Sequence, residues 1–195
     1  MLNKDILIQI LEQLLEKAKE VHDELNTIDG KIGDGDLGIT ILHGLDEINN
    51  NLDKFTNDMG NNFMVCSQAF VKKSGSSFGT LIAFSFMNIS KLLKGKNYCN
   101  HEDIVKIFET ALETIIQRGK TNLGDKTIAD SLNLIIKKLK DEQNYLVTFK
   151  NATKEALANF KGKKIKIGRA RMFEDKTKDL DDPGMYALYL LCSKL

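Results

Sequence analysis

Apolar residues recur every three to four positions along most of the chain, and only one proline, Pro183, is present to interrupt them. A period of about 3.6 residues marks an amphipathic helix, and a chain almost free of proline can string helices together without forced breaks. Ile6, Ile10, Leu14, Ala18, Val21 and Leu25 trace the apolar face of a first helix, widened by Leu7, Leu11 and Leu15. Leu42, Leu45, Ile48, Leu52 and Phe55 mark a second helix, and Asn61 to about Lys73 reads as a third. The fourth, Ser77 to about Leu93, is so apolar that it is expected to be the most buried. Asn100 with Asp103 three residues on predicts a capped start for a fifth helix through Ile104, Ile107, Phe108, Leu112 and Ile115. A sixth follows Asp125 and carries Ile128, Leu132, Ile135, Ile136 and Leu139, and Tyr145 to about Phe160 is a seventh. Pro183 opens a short eighth to Leu195, in the first turn where proline is tolerated. No strand and no internal repeat stands out. Helices joined mainly by short loops imply antiparallel neighbours, so the expectation is an all-α bundle.

Bulk properties narrow the function classes. At 195 residues, with no Pro-, Gly- or Ser-rich linker, the chain reads as one domain over residues 1–195. Its formal net charge of +1 gives no reason to expect nucleic acid or a membrane surface as partner. No apolar run reaches the roughly 20 residues that span a bilayer. Acidic residues within the first helix argue against a secretory signal. Cys66, Cys99 and Cys192 are odd in number and widely spaced, without a Cys-x-x-Cys pair, which suits a reducing compartment. A cytoplasmic protein is the expectation.

Chemistry is concentrated in the loops. In Asp29–Gly38 three carboxylates and four glycines fall within ten residues, directly after the first helix. Carboxylates crowded in this way repel one another unless a cation neutralises them. Glycines let the backbone turn sharply enough to bring the oxygens together. The competing reading is a polar surface turn, since Asp and Gly are common turn residues. An EF-hand fails on register: counted from Asp34, the fifth, sixth and twelfth positions are Gly38, Ile39 and Leu45, where an oxygen ligand, a glycine and a glutamate are required. A few carboxylates beside helix N-terminal amides suit Mg2+, which takes its remaining ligands from water and substrate phosphates.

Three further loops share this character. Lys73–Thr80 combines glycine and hydroxyl residues at the entry to the fourth helix, a seat for an anion or an ordinary helix cap. Gly119–Thr127 looks like a P-loop, but Asp125 intrudes before Lys126-Thr127 and no strand precedes it. That motif is rejected, leaving Asp125 as the expected N-cap of the sixth helix. Finally, Ile167-Gly168-Arg169-Ala170-Arg171 is followed by Asp181-Asp182-Pro183-Gly184, where arginine could grip phosphate or make an interhelical ion pair.

Taken in order, IGDGDLGIT, SGSSFGT, GDKTIADSL, IGRAR and DDPG resemble the nucleotide-binding L subunit (DhaL) of dihydroxyacetone kinase, from about Thr27 to the C-terminus. The resemblance implies an eight-helix antiparallel up-and-down barrel with a nucleotide, ADP or ATP, and two Mg2+ ions at one end. Residue by residue, it assigns Asp29, Asp34 and Asp36 as magnesium ligands. Ser74 and Gly75, with Ser76, Ser77 and Thr80, match a phosphate-contacting loop, and Leu37, Gly38, Ile39 and Thr40 extend the candidate nucleotide contacts. Gly119 and Ile128 match positions around adenine and ribose. Arg169 and the Asp182-Pro183-Gly184 turn match a segment that closes over the nucleotide. Leu37 and Thr40 stand where His and Asn are common in the family, which puts the substrate in question more than the chemistry.

The same resemblance implies a partnership. Dihydroxyacetone would be held covalently by a histidine of a separate K subunit, and the bound nucleotide recharged by a phosphohistidine-carrying M protein of the phosphotransferase system, or exchanged for ATP. No catalytic residue is expected in this chain beyond the metal–nucleotide site; His22, His43 and His101 read as surface or packing residues. Two alternatives remain: a related kinase for another ketose or a fatty acid, and a non-catalytic regulator of a transcription factor.

Overall fold

The computed structural model describes residues 1–73 and 75–193. Among them lie eight α-helices: α1 (Lys4–Asp29), α2 (Leu37–Asn49), α3 (Met59–Lys73), α4 (Ser77–Leu92), α5 (His101–Gly119), α6 (Ile128–Leu139), α7 (Tyr145–Phe160) and α8 (Pro183–Cys192). Each helix packs on the next, and α8 closes against α1, so the helices form a ring with antiparallel neighbours. Leu11, Leu25, Ile48, Met59, Phe70 and Leu93 belong to the core inside one side of this ring, and Ile115, Leu132, Ile135 and Leu139 to a second cluster around α6. A third, small cluster joins Ile32 of the acidic loop to Ile165 and Ala170 of the long α7–α8 connection. No helix among the described residues is long and apolar enough to cross a membrane.

Local chemistry sets several boundaries. Asn100 and Asp103 form the expected capping box at the start of α5, each side chain accepting the other's backbone N–H. The α1–α2 crossing is closed enough that a Cβ on Gly38 would lie 1.9 Å from the His22 carbonyl oxygen, so only glycine fits there.

Four expectations are corrected. The second helix begins at Leu37 and stops at Asn49, short of Leu52 and Phe55. The Asn51 side chain donates to the Glu47 carbonyl (2.7 Å) and carboxylate (3.0 Å), offering the backbone an alternative to further helix, and Leu52–Lys54 form a 3-10 turn. Helix α4 is not the most buried: only Gly79, Ala83, Ser85, Ile89 and Ser90 are buried, while α3 buries nine of its fifteen residues. The exposed flanks of α4 border two clefts, through Phe78 and Leu81 on one side and Thr80, Phe84 and Met87 on the other. The N-cap of α6 is Thr127, in a capping box with Asp130, not Asp125. A two-residue antiparallel pairing of Leu2–Asn3 with Tyr98–Cys99 ties the N-terminus to the start of α5. The expected end of the eighth helix at Leu195 lies outside the described residues.

Candidate functional site

Asp29 is the last residue of α1 and Asp36 the residue before α2, so the acidic loop joins a helix C-terminus to a helix N-terminus. Gly35, at φ +75°, supplies the left-handed turn. Asp29 Oδ2 accepts the N–H groups of Gly35 (2.9 Å) and Asp36 (3.2 Å), which curls the loop back over its own start. At Gly33 a Cβ would meet Asp29 Oδ1 at 2.4 Å. Asn26 Oδ1 accepts the Ile39 N–H (3.1 Å) and fixes α2 against α1. The result is that one carboxylate oxygen from each of Asp29, Asp34 and Asp36 lies within 4.8 Å of the others. Burial raises the Asp29 pKa above its ordinary value, with the Asp34 charge adding to it and backbone N–H donors opposing it. Asp36 is raised by burial and then by the charges of Asp34 and Asp29, with Arg169 opposing. Arg169 Nη1 lies 2.5 Å from Asp34 Oδ2 and brings a positive charge to the cluster.

The N-terminus of α4 faces the same place. Ser76 caps the helix by accepting the Gly79 N–H (3.1 Å), and its hydroxyl oxygen also accepts from the Thr40 hydroxyl (3.0 Å). The amide-rich openings of α2 and α4 are thereby tied together beside the carboxylates. Free amides at a helix start and small hydroxyl residues are suited to phosphate oxygens.

The third wall comes from the loop between α5 and α6. Asp125 spends its carboxylate on the Asn122 N–H (2.8 Å) and pairs with Lys166 (3.7 Å), which is why it does not cap α6. Lys126, at φ +63°, is 1 % exposed, and its ammonium donates to the carbonyls of Lys163 (2.8 Å), Thr177 (3.0 Å) and Leu180 (2.6 Å). These belong to the 161–182 connection, hereafter the strap. It crosses to α8 through a 3-10 segment, Arg169–Asp179, kinked at Glu174. Asp182 ends the strap and caps α8, its Oδ1 accepting the Met185 N–H (2.9 Å). Burial pushes the Asp182 carboxyl up to about 7, against the N–H donors of Met185 and Gly184 and the Lys126 charge.

These walls enclose a cavity of about 410 Å³. Of the residues expected at a site, Asp29, Asp34, Asp36, Leu37, Gly75, Ser76 and Ser77 line it, as do Gly119, Ile128, Arg169, Asp182, Pro183 and Gly184. Four do not. Gly38 is used in the α1–α2 crossing, Ile39 and Thr40 act through the bonds above, and the Thr80 hydroxyl returns to the Ser76 carbonyl (2.9 Å) while its side chain borders the second cleft. Ser74 lies outside the described residues. Phe78, Leu81, Ile115, Thr121, Thr127 and Ile167 also line the cavity and were missed from sequence. Phe78, Leu81 and Ile115 lie within about a turn of a helix end, where the helical period extended inward from the flagged loops could have found them, and Thr121, Thr127 and Ile167 lie in those loops themselves.

The cavity is chemically two-sided. Carboxylates, hydroxyls and Arg169 occupy one part. Phe78 and Ile128 flank Gly184, where a Cβ would meet them at 3.2 and 3.4 Å, and Leu81 and Thr121 similarly flank Gly119 at 3.7 and 3.8 Å. A ligand with an anionic end and a flat apolar end fits such walls, and the volume is within the range of small-molecule sites.

The fold and site define an all-α ring with an acidic loop and two helix openings at one cavity, and comparison with known proteins names its family. Residues 31–195 match the DAK2 domain. The chain belongs to that family. It is 30% identical over 190 residues to an ADP-binding subunit DhaL of a PEP-dependent dihydroxyacetone kinase of Listeria innocua, covering 97% of this chain and 93% of that protein. It is 27% identical over 187 residues to the ADP-binding subunit DhaL of a PTS-dependent dihydroxyacetone kinase of Lactococcus lactis, covering 94% and 92%. The crystal structure of the dihydroxyacetone kinase from C. freundii in complex with AMP-PNP and Mg2+ shares the fold, with a TM-score of 0.76 at 23% identity. That match covers 97% of this chain but 33% of the solved one, so the chain spans about a third of that kinase.

Proposed function

We propose that residues 1–195 form one nucleotide-binding domain and serve as the ADP/ATP–magnesium subunit of a dihydroxyacetone kinase. One observation carries the reading: three carboxylates within 4.8 Å of one another open onto a cavity whose other wall is apolar. Asp29, Asp34 and Asp36 would hold Mg2+, because an all-oxygen carboxylate set suits a hard cation and their mutual repulsion calls for one. When bound, magnesium neutralises phosphate charge in phosphoryl transfer. The chain's own residues do the rest. Gly75, Ser76 and Ser77 offer amides and hydroxyls to phosphate oxygens; Gly119 and Ile128, with Phe78 and Leu81, hold the base; Arg169 and the Asp182-Pro183-Gly184 turn close the cavity.

Similarity to proteins named as ADP-binding subunits, matched over 93% and 92% of their own length, supports a separate subunit that holds dihydroxyacetone. Similarity to PEP- and PTS-dependent subunits supports a phosphohistidine carrier as the phosphoryl source. Magnesium ADP at a hundredfold excess over Kd should stabilise the chain by about 2.7 kcal/mol and raise Tm by about 5–10 °C. No rise with magnesium ADP, beside a rise with another metabolite, overturns the nucleotide reading. With a dihydroxyacetone-holding partner, sustained turnover on ATP alone would replace the phosphohistidine carrier by ATP and leave the magnesium site standing.

A further inference from the structure

The lysine of the P-loop-like stretch has no place on the cavity, yet it is among the most buried large side chains of the protein. Its ammonium has three N–H donors and meets three backbone carbonyls at 2.6–3.0 Å, one from the incoming limb of the strap (Lys163) and two from the outgoing limb (Thr177 and Leu180). It reaches them from a left-handed backbone, a conformation that strains a non-glycine residue and persists only where the surroundings hold it. The strap has ties of its own as well: between its limbs run the Ile165 N–H to the Thr177 hydroxyl (3.0 Å), the Gly162 N–H to the Lys178 carbonyl (3.2 Å) and the exposed Lys164–Asp175 ion pair (2.8 Å), and its apolar anchor is the small cluster on Ile32. A second, exposed tether runs from Lys166, whose ammonium donates to the Gly124 carbonyl (3.1 Å) and whose N–H donates to the Asp125 carbonyl (3.1 Å). Between the two limbs the strap presents Ile167, Gly168, Arg169 and Ala170 to the cavity.

We propose that Lys126 is a positioning residue that clasps the strap shut over the cavity and so sets how long a bound nucleotide stays. The ammonium never touches the ligand. It donates to carbonyls of both limbs, of which that of Thr177 also accepts the Leu180 N–H (3.4 Å), and their fixed positions hold Arg169 beside Asp34 and the Asp182-Pro183-Gly184 turn beside Phe78. This rests on the reading of the cavity as a magnesium–nucleotide site.

The test uses the full chain loaded with a fluorescent ADP analogue and Mg2+, chased with unlabelled ADP. Lys126→Met keeps the aliphatic stem and removes all three donors; its ADP dissociation rate should rise at least about tenfold. Hydrogen exchange should show the Ile165 amide unprotected while the amides of α1, α2 and α3 keep their protection. A role confined to overall stability would lower Tm and leave the dissociation rate unmoved, which overturns the proposal. Should Lys126→Met not fold, the exposed Lys166→Met reads the same latch with a smaller rise of about two- to threefold; an unchanged rate there overturns it as well. Failure of the wild-type chain to bind the ADP analogue overturns the nucleotide reading itself, a result separate from unchanged release by the variants.

Discussion

Replacing Asp182 by asparagine should stabilise the ligand-free protein at neutral pH and leave it unchanged in acid. Asp182 caps α8, and asparagine is as good a helix cap as aspartate, so the Met185 N–H keeps its acceptor. What the substitution removes is a carboxyl that burial pushes from 3.8 up to about 7. The sign follows from proton binding. Above pH 3.8 the unfolded chain has released this proton while the folded chain keeps it until about pH 7, so stability falls as pH rises between those values and is flat beyond them. A shift of this size corresponds to a loss of about 4 kcal/mol when both states are ionised, an upper figure because the side chain is only partly removed from water. Urea unfolding of wild type and Asp182→Asn without nucleotide should therefore coincide near pH 4 and diverge by about 2–4 kcal/mol at pH 8, the variant being the more stable. Taking the difference between the two proteins cancels the other titrating groups, including Asp29 and Asp36, which are raised as well, and Asp175, which two lysines hold down at about 2. A difference that is the same at both pH values, or a variant less stable at pH 8, would refute the account of Asp182.

Two further substitutions separate packing and capping from chemistry. Gly38→Ala drives a methyl into the His22 carbonyl and should destabilise by about 3 kcal/mol, a Tm loss of about 10 °C by differential scanning, with ADP affinity of the folded protein kept within about threefold. Thr127→Ala should lower stability by about 1 kcal/mol in urea titration and more than Asp125→Ala affects the helix itself, because Thr127 is the residue that caps α6; equal helical fraying in both would restore Asp125 as the cap.

Much of this protein is legible in its sequence because helices write their buried face locally. The apolar period of α1, the Asn100–Asp103 box and Pro183 at the head of α8 need no knowledge of neighbours. The acidic loop is legible for the same reason, since its three carboxylates come from one short stretch. Closure of α8 on α1 is not, because adjacency between the ends of a chain leaves no local mark. Thr127 was hidden by competition: Asp125 and Thr127 are both good caps, and only Thr127 has Asp130 at the spacing of a capping box, a signal present in the sequence and overlooked. Lys126 was illegible in a deeper sense. Asp125 between Gly124 and Lys126 breaks the P-loop pattern, and nothing nearby shows that the lysine's partners are carbonyls 37 to 54 residues further on. The cavity-facing Phe78 and Leu81 were absorbed into an apolar helix pattern, which records burial but not whether protein or ligand supplies the cover.

If Asp29, Asp34 and Asp36 hold the metal, nucleotide binding depends on magnesium. Calorimetric titration of ADP into wild type and Asp34→Ala, each with and without Mg2+, tests it most directly. Asp34 is exposed and lies in a loop, so its loss should leave the helical circular dichroism intact. Strong ADP binding is expected only for wild type with Mg2+, with a loss of at least about a hundredfold on removing either the metal or the carboxylate. Equal ADP affinity in the folded variant and the wild type would contradict it.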